Sequence, residues 1–432
     1  RFVDATGDTM RAIFEEAARL SEDVLAPLNR VGDAEHARLE NGVVRTPAGF
    51  AEGYRAIREG GWCGVSADPA FGGMGLPQTV WTVVHEMMCS ACLSLSIAPL
   101  LTNGQIEALE AHASDAIKAL YLPKLVSGAW TGVMCLTEPQ AGTDVGAVRT
   151  LAEPSGEGWR LTGQKIYISW GDHDCAENVV HLVLARTPGA PPGSKGLSLF
   201  LVPKLVPDEG GAPGRRNGVR CIGLERKMGL HGAPTCVMAY EGAEAWLIGA
   251  EGRGLAAMFT MMNNARLGVG VQGIGVAEAA LQKAEAYALD RRQGRTPVGD
   301  GSGPIAEHAD VRRMLLSMRG RVTAARAIAL ACAFAIDMST AAPEAERAAW
   351  AARAAFLTPL AKAFGTDVGC EVAATAMQVH GGMGYVEETG AAQLYRDVRV
   401  TAIYEGTNGV QAMDLVGRKL ADGGEAARAL LA

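Results

Sequence analysis

The stretch Gly163-Gln164-Lys165-Ile166-Tyr167-Ile168-Ser169 decides the fold, because it predicts a β-strand in the middle of a chain that is otherwise helical in pattern. Three more short runs rich in apolar and β-branched residues follow it, at residues 179–184, 197–202 and 236–240. Gly, Pro and Asp separate these runs, as is typical of turns. We therefore predict a middle antiparallel β-domain over residues 130–250.

The segments on either side have a helical period. Residues 9–125 show it first, with Pro27 expected to end one helix, Thr46-Pro47 to open another and Gly60-Gly61 to close it. Long Ala-, Leu- and Arg-rich helices are predicted at 255–292, 311–338 and 342–380. The sequence thus predicts an α+β multidomain fold: an N-terminal all-helical domain over 1–129, the β-domain, and a C-terminal helical bundle over 251–432.

Composition narrows the class of protein. The chain has 432 residues, of which 48% are hydrophobic, enough for two or three cores. A net charge of -7 argues against a nucleic-acid partner. The longest apolar run, 327–336, is too short to cross a bilayer, so no membrane insertion is expected. Nine scattered cysteines indicate reduced thiols and a cytoplasmic location, and Arg1 in place of an initiator Met suggests a missing N-terminus.

Three motifs could mislead. Cys89-x-x-Cys92 lies in an apolar stretch without a second cysteine pair, and Asp172-His173-Asp174-Cys175 is interpreted as a polar loop, so no metal site is predicted. Gly268-Val269-Gly270-Val271-Gln272-Gly273 matches a dinucleotide-binding pattern, but a helical pattern precedes it where a strand is required. These glycines are expected to permit close helix packing or close approach of a ligand.

Two segments of the β-domain could face a flat cofactor. Leu136-Thr137-Glu138-Pro139-Gln140-Ala141-Gly142-Thr143-Asp144 joins a strand to a turn whose backbone N–H groups and hydroxyls are available. Two-residue alternation then places Tyr167 and Ser169 on one face of a strand, where the ring could pack on a cofactor and the hydroxyl bind its edge. An ordinary buried Tyr and a capping Ser are the alternative.

A candidate base lies near the end of the chain, in Tyr404-Glu405-Gly406-Thr407-Asn408. Gly406 allows a ligand close to the backbone, and Thr407 or Asn408 can cap the helix that follows. Glu405 beside Tyr404 should be partly desolvated, which raises the pKa of its carboxyl toward neutral pH. The alternative is a Glu in an ordinary loop.

Taken together, these segments resemble the FAD-dependent acyl-CoA dehydrogenases over nearly the whole chain. The motifs that carry the resemblance are the two β-domain segments, Arg266, Arg291, Gln378-Val379-His380-Gly381-Gly382-Met383-Gly384 and Tyr404-Glu405-Gly406-Thr407-Asn408. The resemblance implies an N-terminal helical domain, a middle β-barrel-like domain and a C-terminal helical bundle, with FAD lying between the last two.

The resemblance also implies roles for individual residues. The residues expected to bind FAD are Met134, Leu136, Thr137, Gly142, Thr143, Tyr167, Ser169, Arg291, Gln378, Gly382 and Thr407. Arg291, Gln378 and Gly382 would act from a neighbouring subunit, which implies a homodimer or a tetramer. Met134 stands where the family commonly has an aromatic residue, and Tyr167 where it commonly has Trp; both keep a polarisable surface.

The remaining implied roles concern catalysis. Glu405 would remove the α-proton of the thioester while its backbone N–H and a ribityl hydroxyl of FAD stabilise the thioester oxygen. Some branches of the family place the base immediately before the helix arginine, where this chain has Ala265. Arg266, Thr143 and Gly406 would contact substrate, with a surface cation as the alternative for Arg266. Arg418 is a candidate catalytic residue, or else a cation at a helix terminus.

The resemblance is nearest to the large bacterial branch that includes 3-(methylthio)propanoyl-CoA dehydrogenases, which implies fatty acid metabolism or dimethylsulfoniopropionate catabolism. Electrons would pass to an electron-transfer flavoprotein. An acyl-CoA oxidase and a non-catalytic flavoprotein binding module are the competing interpretations. A further C-terminal helical region, normal in this branch, is expected to be absent after Ala432.

Overall fold

The computed structural model describes residues 2–298, 301–421 and 423–431; Arg1 and Ala432, on which two predictions about the chain ends rest, lie outside them. The N-terminal part contains helices α1 to α5, and these are Gly7–Arg19, Ala26–Glu35, Phe50–Glu59, Gln78–His112 and Asp115–Val126. Helix α4, Gln78–His112, is the core of this part. Asp337 from a later helix accepts hydrogen bonds from the backbone N–H groups of Gln78 (2.6 Å) and Thr79 (2.9 Å), and so satisfies the first turn of α4.

Two predicted helix boundaries are wrong in this part. Pro27 does not end a helix, because a π-helical turn at Leu20–Leu25 joins α1 to α2 and Pro27 occupies the first turn of α2, where its missing N–H has no cost. Thr46 does not open α3, which begins at Phe50. The hydroxyl of Thr46 instead donates to Asp174 Oδ1 at 2.7 Å. The predicted end of α3 at Gly60-Gly61 is confirmed.

The N-terminal part is also not entirely helical. Strands β1, Arg38–Glu40, and β2, Val43–Arg45, form a short antiparallel pair. They are joined by Asn41 and Gly42, both with positive φ. Such a three-residue strand is too short to show a period in the sequence.

The β-domain is confirmed. Its strands are β3 to β11, at Trp130–Cys135, Leu151–Ser155, Gly158–Ser169, Asn178–Arg186, Leu197–Pro203, Leu205–Pro207, Pro213–Arg216, Val219–Leu224 and Thr235–Ile248. The main sheet has the order β10-β11-β5-β4-β6-β3, with β7 paired to both β11 and β6, and β8 pairs separately with β9. All four predicted runs fall within β5, β6, β7 and β11.

The prediction of an antiparallel sheet is wrong on both sides of β6: β4 meets β6 in parallel at one residue pair, Leu151 and Arg186, and at the sheet edge β3 runs parallel to β6. Both strands are buried along almost their whole length, as parallel strands usually are. Helix α4 covers β3, and Thr102 Oγ1 accepts a hydrogen bond from the Gly132 N–H at 3.1 Å.

The C-terminal part is a bundle of three long helices, α6 (Gly254–Asp290), α7 (Ala309–Ala341) and α8 (Glu344–His380), as predicted. A short strand pair, β12 (Arg292–Arg295) and β13 (Ser302–Pro304), links α6 to α7. Four short helices, α9 to α12, complete the chain at Gly382–Tyr385, Ala391–Val398, Asn408–Asp414 and Glu425–Leu431.

The glycine motif of the sequence lies inside α6, so the rejection of a dinucleotide-binding turn is confirmed. A Cβ atom at Gly270 would lie 2.5 Å from the carbonyl oxygen of Ala361, and one at Gly273 would lie 2.5 Å from that of Gly365. The two glycines therefore allow the backbones of α6 and α8 to touch.

Helices α4 and α7 are both long and apolar enough to cross a membrane by length and composition, a property that the count of uninterrupted apolar residues misses. The most apolar stretch of α4 is 72% buried within the protein, and that of α7 is 39% buried. Core helices satisfy the same criterion.

All nine cysteines lie in the described part of the chain and are free thiols.

Candidate active site

The loop that carries Glu405 is held from both sides. Thr407 caps α11, its hydroxyl accepting from the Val410 N–H at 3.3 Å, as predicted. Gln411 donates from Nε2 to the carbonyl oxygens of Glu405 (3.2 Å) and Gly406 (3.1 Å). Glu405 and Gly406 have φ angles of 55° and 84°. Glu405, the predicted base, is thus a non-glycine residue held in the left-handed region, a conformation that is uncommon outside functional sites and tight turns.

The electrostatics of Glu405 match the sequence prediction. Burial raises the pKa of its carboxyl from 4.5 to about 7, and the positive charges of Arg266 and Lys362 oppose that rise. Within the described residues, neither the carboxylate nor the backbone N–H of Glu405 has a hydrogen-bond partner. Both groups are therefore available to a ligand.

Arg266 is buried, with 5% of its side chain exposed, so the alternative of a surface cation is wrong. Its Nη1 lies 3.3 Å from Asp414 Oδ2, and its guanidinium lies 5.7 Å from the centre of the Phe259 ring. Arg418 approaches the same carboxylate from solvent, with its Nε 2.5 Å from Asp414 Oδ1, and also lies over Phe259 at 5.9 Å. Asp414 thus joins the two arginines on which the sequence analysis placed roles.

The sequence analysis missed a second buried cation, Lys362 of α8. Its side chain has no exposed surface, and its Nζ donates to Asn408 Oδ1 at 2.9 Å. Burial lowers the pKa of Lys362 to about 8, an effect that the negative charges of Glu405 and Asp367 oppose. The available signal was a lysine beside the small residues Ala361, Gly365 and Gly369, whose spacing of four indicates a buried helix face.

The predicted cofactor loop of the β-domain is organised by a buried ion pair. Lys165 Nζ lies 2.9 Å from Glu138 Oε1 and donates to the carbonyl oxygen of Leu136 at 2.8 Å. Burial disfavours ionisation of Glu138, but Lys165 and Thr150 outweigh burial and lower the pKa of Glu138 to about 2. The Ile166 N–H donates to the Thr137 carbonyl at 2.9 Å, which fixes this loop beside strand β5.

Tyr167 and Ser169 follow that contact along β5, just after a point where the two-residue alternation of the strand is interrupted. In the ladder between β5 and β11, the backbone of Lys165 lies opposite Met238 and that of Ile168 lies opposite Cys236. Strand β5 therefore has two residues between these positions where β11 has one, which is a β-bulge. Tyr167 has φ 58° and is 61% exposed, whereas Lys165 is buried. Because the β-bulge lies between Lys165 and Ile168, two-residue alternation holds only from Tyr167 onward; Tyr167 is exposed, Ile168 buried and Ser169 half-buried, which agrees with a common face for Tyr167 and Ser169.

The other residues of this group lie in strand β3 and in the loop that follows it, where Gly142 faces open space. Met134 is buried in β3 and Leu136 and Thr137 are half-buried, while Gly142 and Thr143 are exposed. A Cβ atom at Gly142 would have no neighbour within 4 Å. An exposed aromatic ring, free backbone and open space fit a planar cofactor.

A second group of predicted cofactor residues lies far from Glu405. Arg291 follows the last residue of α6, Gln378 lies near the end of α8, and Gly382 begins α9. Tyr287 and His380 stack at 4.4 Å and hold these two helix ends together. Arg266 and Arg291 are about 37 Å apart along α6 at 1.5 Å per residue. The structure does not bring the two groups together within one chain.

Neither metal hypothesis gains support. No group of three or more His, Cys, Asp or Glu side chains within the described ranges could hold a metal ion. Asp172 pairs with Lys204, Asp174 binds Thr46, and His173 lies 2.8 Å from Thr131 Oγ1. The segment Asp172–Cys175 is a polar junction between the N-terminal part and the β-domain.

The chain is similar to known proteins in all three of its parts. Three family models match, described as the N-terminal, middle and C-terminal domains of acyl-CoA dehydrogenase, at residues 7–129, 133–243 and 252–420. A 3-methylmercaptopropionyl-CoA dehydrogenase of Ruegeria pomeroyi is 50% identical over 98% of this chain and 72% of that protein. A butyryl-CoA dehydrogenase of Syntrophomonas wolfei is 37% identical over 95% of this chain and 70% of that protein.

A solved structure has the same fold. It is described as the electron transferring flavoprotein of Acidaminococcus fermentans, and the matching chain has a TM-score of 0.80 and 27% identity. The match covers 96% of this chain and 99% of the other.

Proposed function

Because the chain belongs to the acyl-CoA dehydrogenase family, and is therefore an FAD-dependent oxidoreductase of acyl-CoA thioesters, we propose that Glu405 is the base that removes the α-proton. The observation that carries this proposal is a half-buried carboxylate with a raised pKa and, among the residues that the structure describes, no hydrogen-bond partner. A base with a pKa near neutral pH combines sufficient ionisation with sufficient basicity. Ala265, at the other position that the family uses, cannot act.

The backbone of Glu405 supplies the second catalytic group. Its N–H is unpaired within the described residues and is fixed by the bonds from Gln411 to the neighbouring carbonyls. Such a preorganised donor can bind the thioester oxygen as negative charge develops there. FAD, when bound, accepts the hydride from the β-carbon.

The residues around the open space beside Gly142 are proposed to hold the flavin ring. Tyr167 offers its exposed ring to the flavin, and Ser169 and Thr137 offer hydroxyls. Met134 and Leu136 supply apolar surface, and Gly142 and Thr143 supply backbone N–H groups. Thr143, Gly406 and Arg266 are proposed to contact the acyl-CoA, with Arg266 held for this role by Asp414.

The second group is proposed to bind the adenine half and pyrophosphate of FAD in a neighbouring subunit. Arg291, Gln378 and Gly382 are exposed, and about 37 Å of helix separates Arg291 from Arg266 in the same chain. Thr407, at the exposed start of α11, is proposed to contact the same cofactor from the Glu405 side. A homodimer or tetramer follows from this arrangement, and a monomer that retains FAD in analytical ultracentrifugation would contradict it.

The substrate and electron acceptor are proposed from the relatives. The 50% identical relative makes 3-(methylthio)propanoyl-CoA the first candidate, and butanoyl-CoA is the second. An electron-transfer flavoprotein is the proposed acceptor, and a cytoplasmic location fits nine free thiols. Initial rates with acyl-CoAs of increasing length, measured with and without the thioether, test the first choice. A higher kcat/KM for butanoyl-CoA than for the thioether would refute it.

Arg418 is proposed to support the site through Asp414. Its guanidinium is half-exposed and shares the Asp414 carboxylate with buried Arg266, which acts on Glu405. Arg418→Gln should therefore alter substrate affinity more than FAD content.

The experiment that tests the proposed base is Glu405→Gln. The amide keeps the size of the side chain and the backbone N–H, so FAD and acyl-CoA binding should persist while flavin reduction slows by roughly 100- to 10000-fold. Glu107→Gln is the matched control, since burial also raises the pKa of Glu107, to about 8, and its partner is Asn264. Flavin bleaching at the wild-type rate in single-turnover stopped flow would place the base elsewhere.

A further inference from the structure

Lys362 is an unusual charge. Its side chain is completely buried, yet within the described residues it forms no ion pair shorter than 4 Å and has one hydrogen-bond acceptor, Asn408. A buried ammonium with so few partners is costly, because it loses hydration without full compensation.

The crossing of α6 and α8 places Lys362 near the active site. A Cβ atom at Gly270 would lie 3.2 Å from the Lys362 Cα, so the two backbones are in contact at this point. Arg266 precedes Gly270 by one helical turn and lies on the same face of α6. The two cations therefore enter the region of Glu405 from two different helices.

Asn408 fixes the ammonium relative to the base loop. Its Nδ2 donates to Thr366 Oγ1 (3.0 Å) and Asp367 Oδ1 (2.7 Å) of α8, while its Oδ1 accepts from Lys362 Nζ. Asn408 is also the first residue of α11, three positions after Glu405. The position of the Lys362 charge is thus set by the same segment that carries the base.

The charged and titratable groups around this pair are few. Arg266 from α6 and Lys362 from α8 act on Glu405, and Tyr404 lies beside it in its own loop. Asp367 and Cys370 of α8, together with Arg266, act on Lys362, and Asp414 and Arg418 act on Arg266. Arg266 is already paired with Asp414, whereas Lys362, whose charge acts on Glu405, has no ion-pair partner of its own within the described residues.

We propose that Lys362 is a positioning residue for the base: its buried ammonium, held by Asn408, keeps Glu405 ionised in the pH range in which the enzyme works. This inference rests on the proposed role of Glu405. A positive charge favours the ionised carboxylate, so its removal makes Glu405 harder to ionise and moves the onset of activity to higher pH.

The test is the pH dependence of kcat/KM for Lys362→Met, which keeps the length of the side chain and removes the charge. The acidic limb is the part of the pH profile in which kcat/KM falls as the pH decreases. We expect the acidic limb to move to higher pH by about one unit, so that kcat/KM is roughly tenfold lower at about pH 6 and little changed at about pH 9. The flavin content should equal that of the wild type. An acidic limb at the wild-type position overturns the proposal.

Two further variants complete the experiment. Asn408→Ala removes the anchor of the ammonium and should move the limb in the same direction by a smaller amount; this variant decides the question if Lys362→Met does not fold. Lys227→Met is the control, because Lys227 is also a poorly exposed lysine with a pKa lowered to about 8, but its charge meets Asp397 and not Glu405. An equal shift in Lys227→Met would overturn the proposal.

The outcome for the base remains separable. If Glu405→Gln keeps rapid flavin reduction, the proposed function of Glu405 fails. If Glu405→Gln is inactive and the limb of Lys362→Met is unchanged, only the role of Lys362 fails.

Discussion

Acidification should switch off this enzyme through Glu405. Burial raises the pKa of its carboxyl from 4.5 to about 7. Roughly one Glu405 in ten is then ionised at about pH 6, against roughly nine in ten at about pH 8. Because proton abstraction needs the ionised form, kcat/KM should fall about tenfold between those two values, and by another factor of about ten for each further pH unit.

The assay is the initial rate with butanoyl-CoA and an artificial electron acceptor, taken at limiting substrate, so that kcat/KM reports the free enzyme. The flavin absorbance at each pH shows whether the cofactor stays bound. Glu107→Gln should retain the wild-type limb, because that carboxyl is already neutral near pH 7. A wild-type kcat/KM that stays constant down to about pH 5.5 would refute the reasoning, since a carboxyl with an ordinary pKa would still be ionised there.

Three further predictions follow from packing and charge. Lys165→Met leaves Glu138 buried without its cation and should destabilise the protein by about 3–5 kcal/mol, measured by denaturant unfolding with FAD release followed in parallel; unchanged stability would contradict the role of the pair. The folded-state pKa of Glu138 is about 2 against 4.5, so its stabilisation is present above about pH 4.5 and is lost as the pH falls toward 2, where variant and wild type should converge. Gly270→Ala should cost about 1–3 kcal/mol in the same assay, because the methyl group would lie 2.5 Å from the Ala361 carbonyl, whereas Gly320→Ala, with open space, should not. Tyr167→Ala should weaken FAD binding, measured by flavin fluorescence on dilution, with the fold intact by circular dichroism; undiminished retention would remove the ring from the cofactor site.

Much of the fold could be predicted because the hydrophobic period changes along the chain. Helical spacing gave the three long C-terminal helices, and short apolar runs gave β5, β6, β7 and β11. The parallel pairing of β3 with β6 could not be predicted, because 48 residues separate paired positions and nothing local specifies direction. The start of α3 was misplaced since Thr46 binds Asp174, a contact between distant segments.

In the candidate site, too, the features that depend on neighbouring residues could be predicted and those that depend on tertiary contacts could not. Glu405, its raised pKa and the cap at Thr407 follow from a few neighbouring residues. Lys362 was missed because nothing in an Ala-rich helix indicates which of its residues contacts a loop 46 positions away, and Asp414 was missed because its partner Arg266 lies 148 positions earlier in the chain. Their placement depends on the contact between α6 and α8, a tertiary property.

The bulge in β5 allows one strand to stay paired in the sheet and to expose a large side chain outside the ladder. Lys165 and Ile168 keep their places in the ladder, while Tyr167 stands outside it with its own backbone geometry. The size of the ring at this position can therefore change without shifting the register that supports the core. A tyrosine-to-tryptophan exchange at position 167 should therefore leave the ladder between β5 and β11 intact.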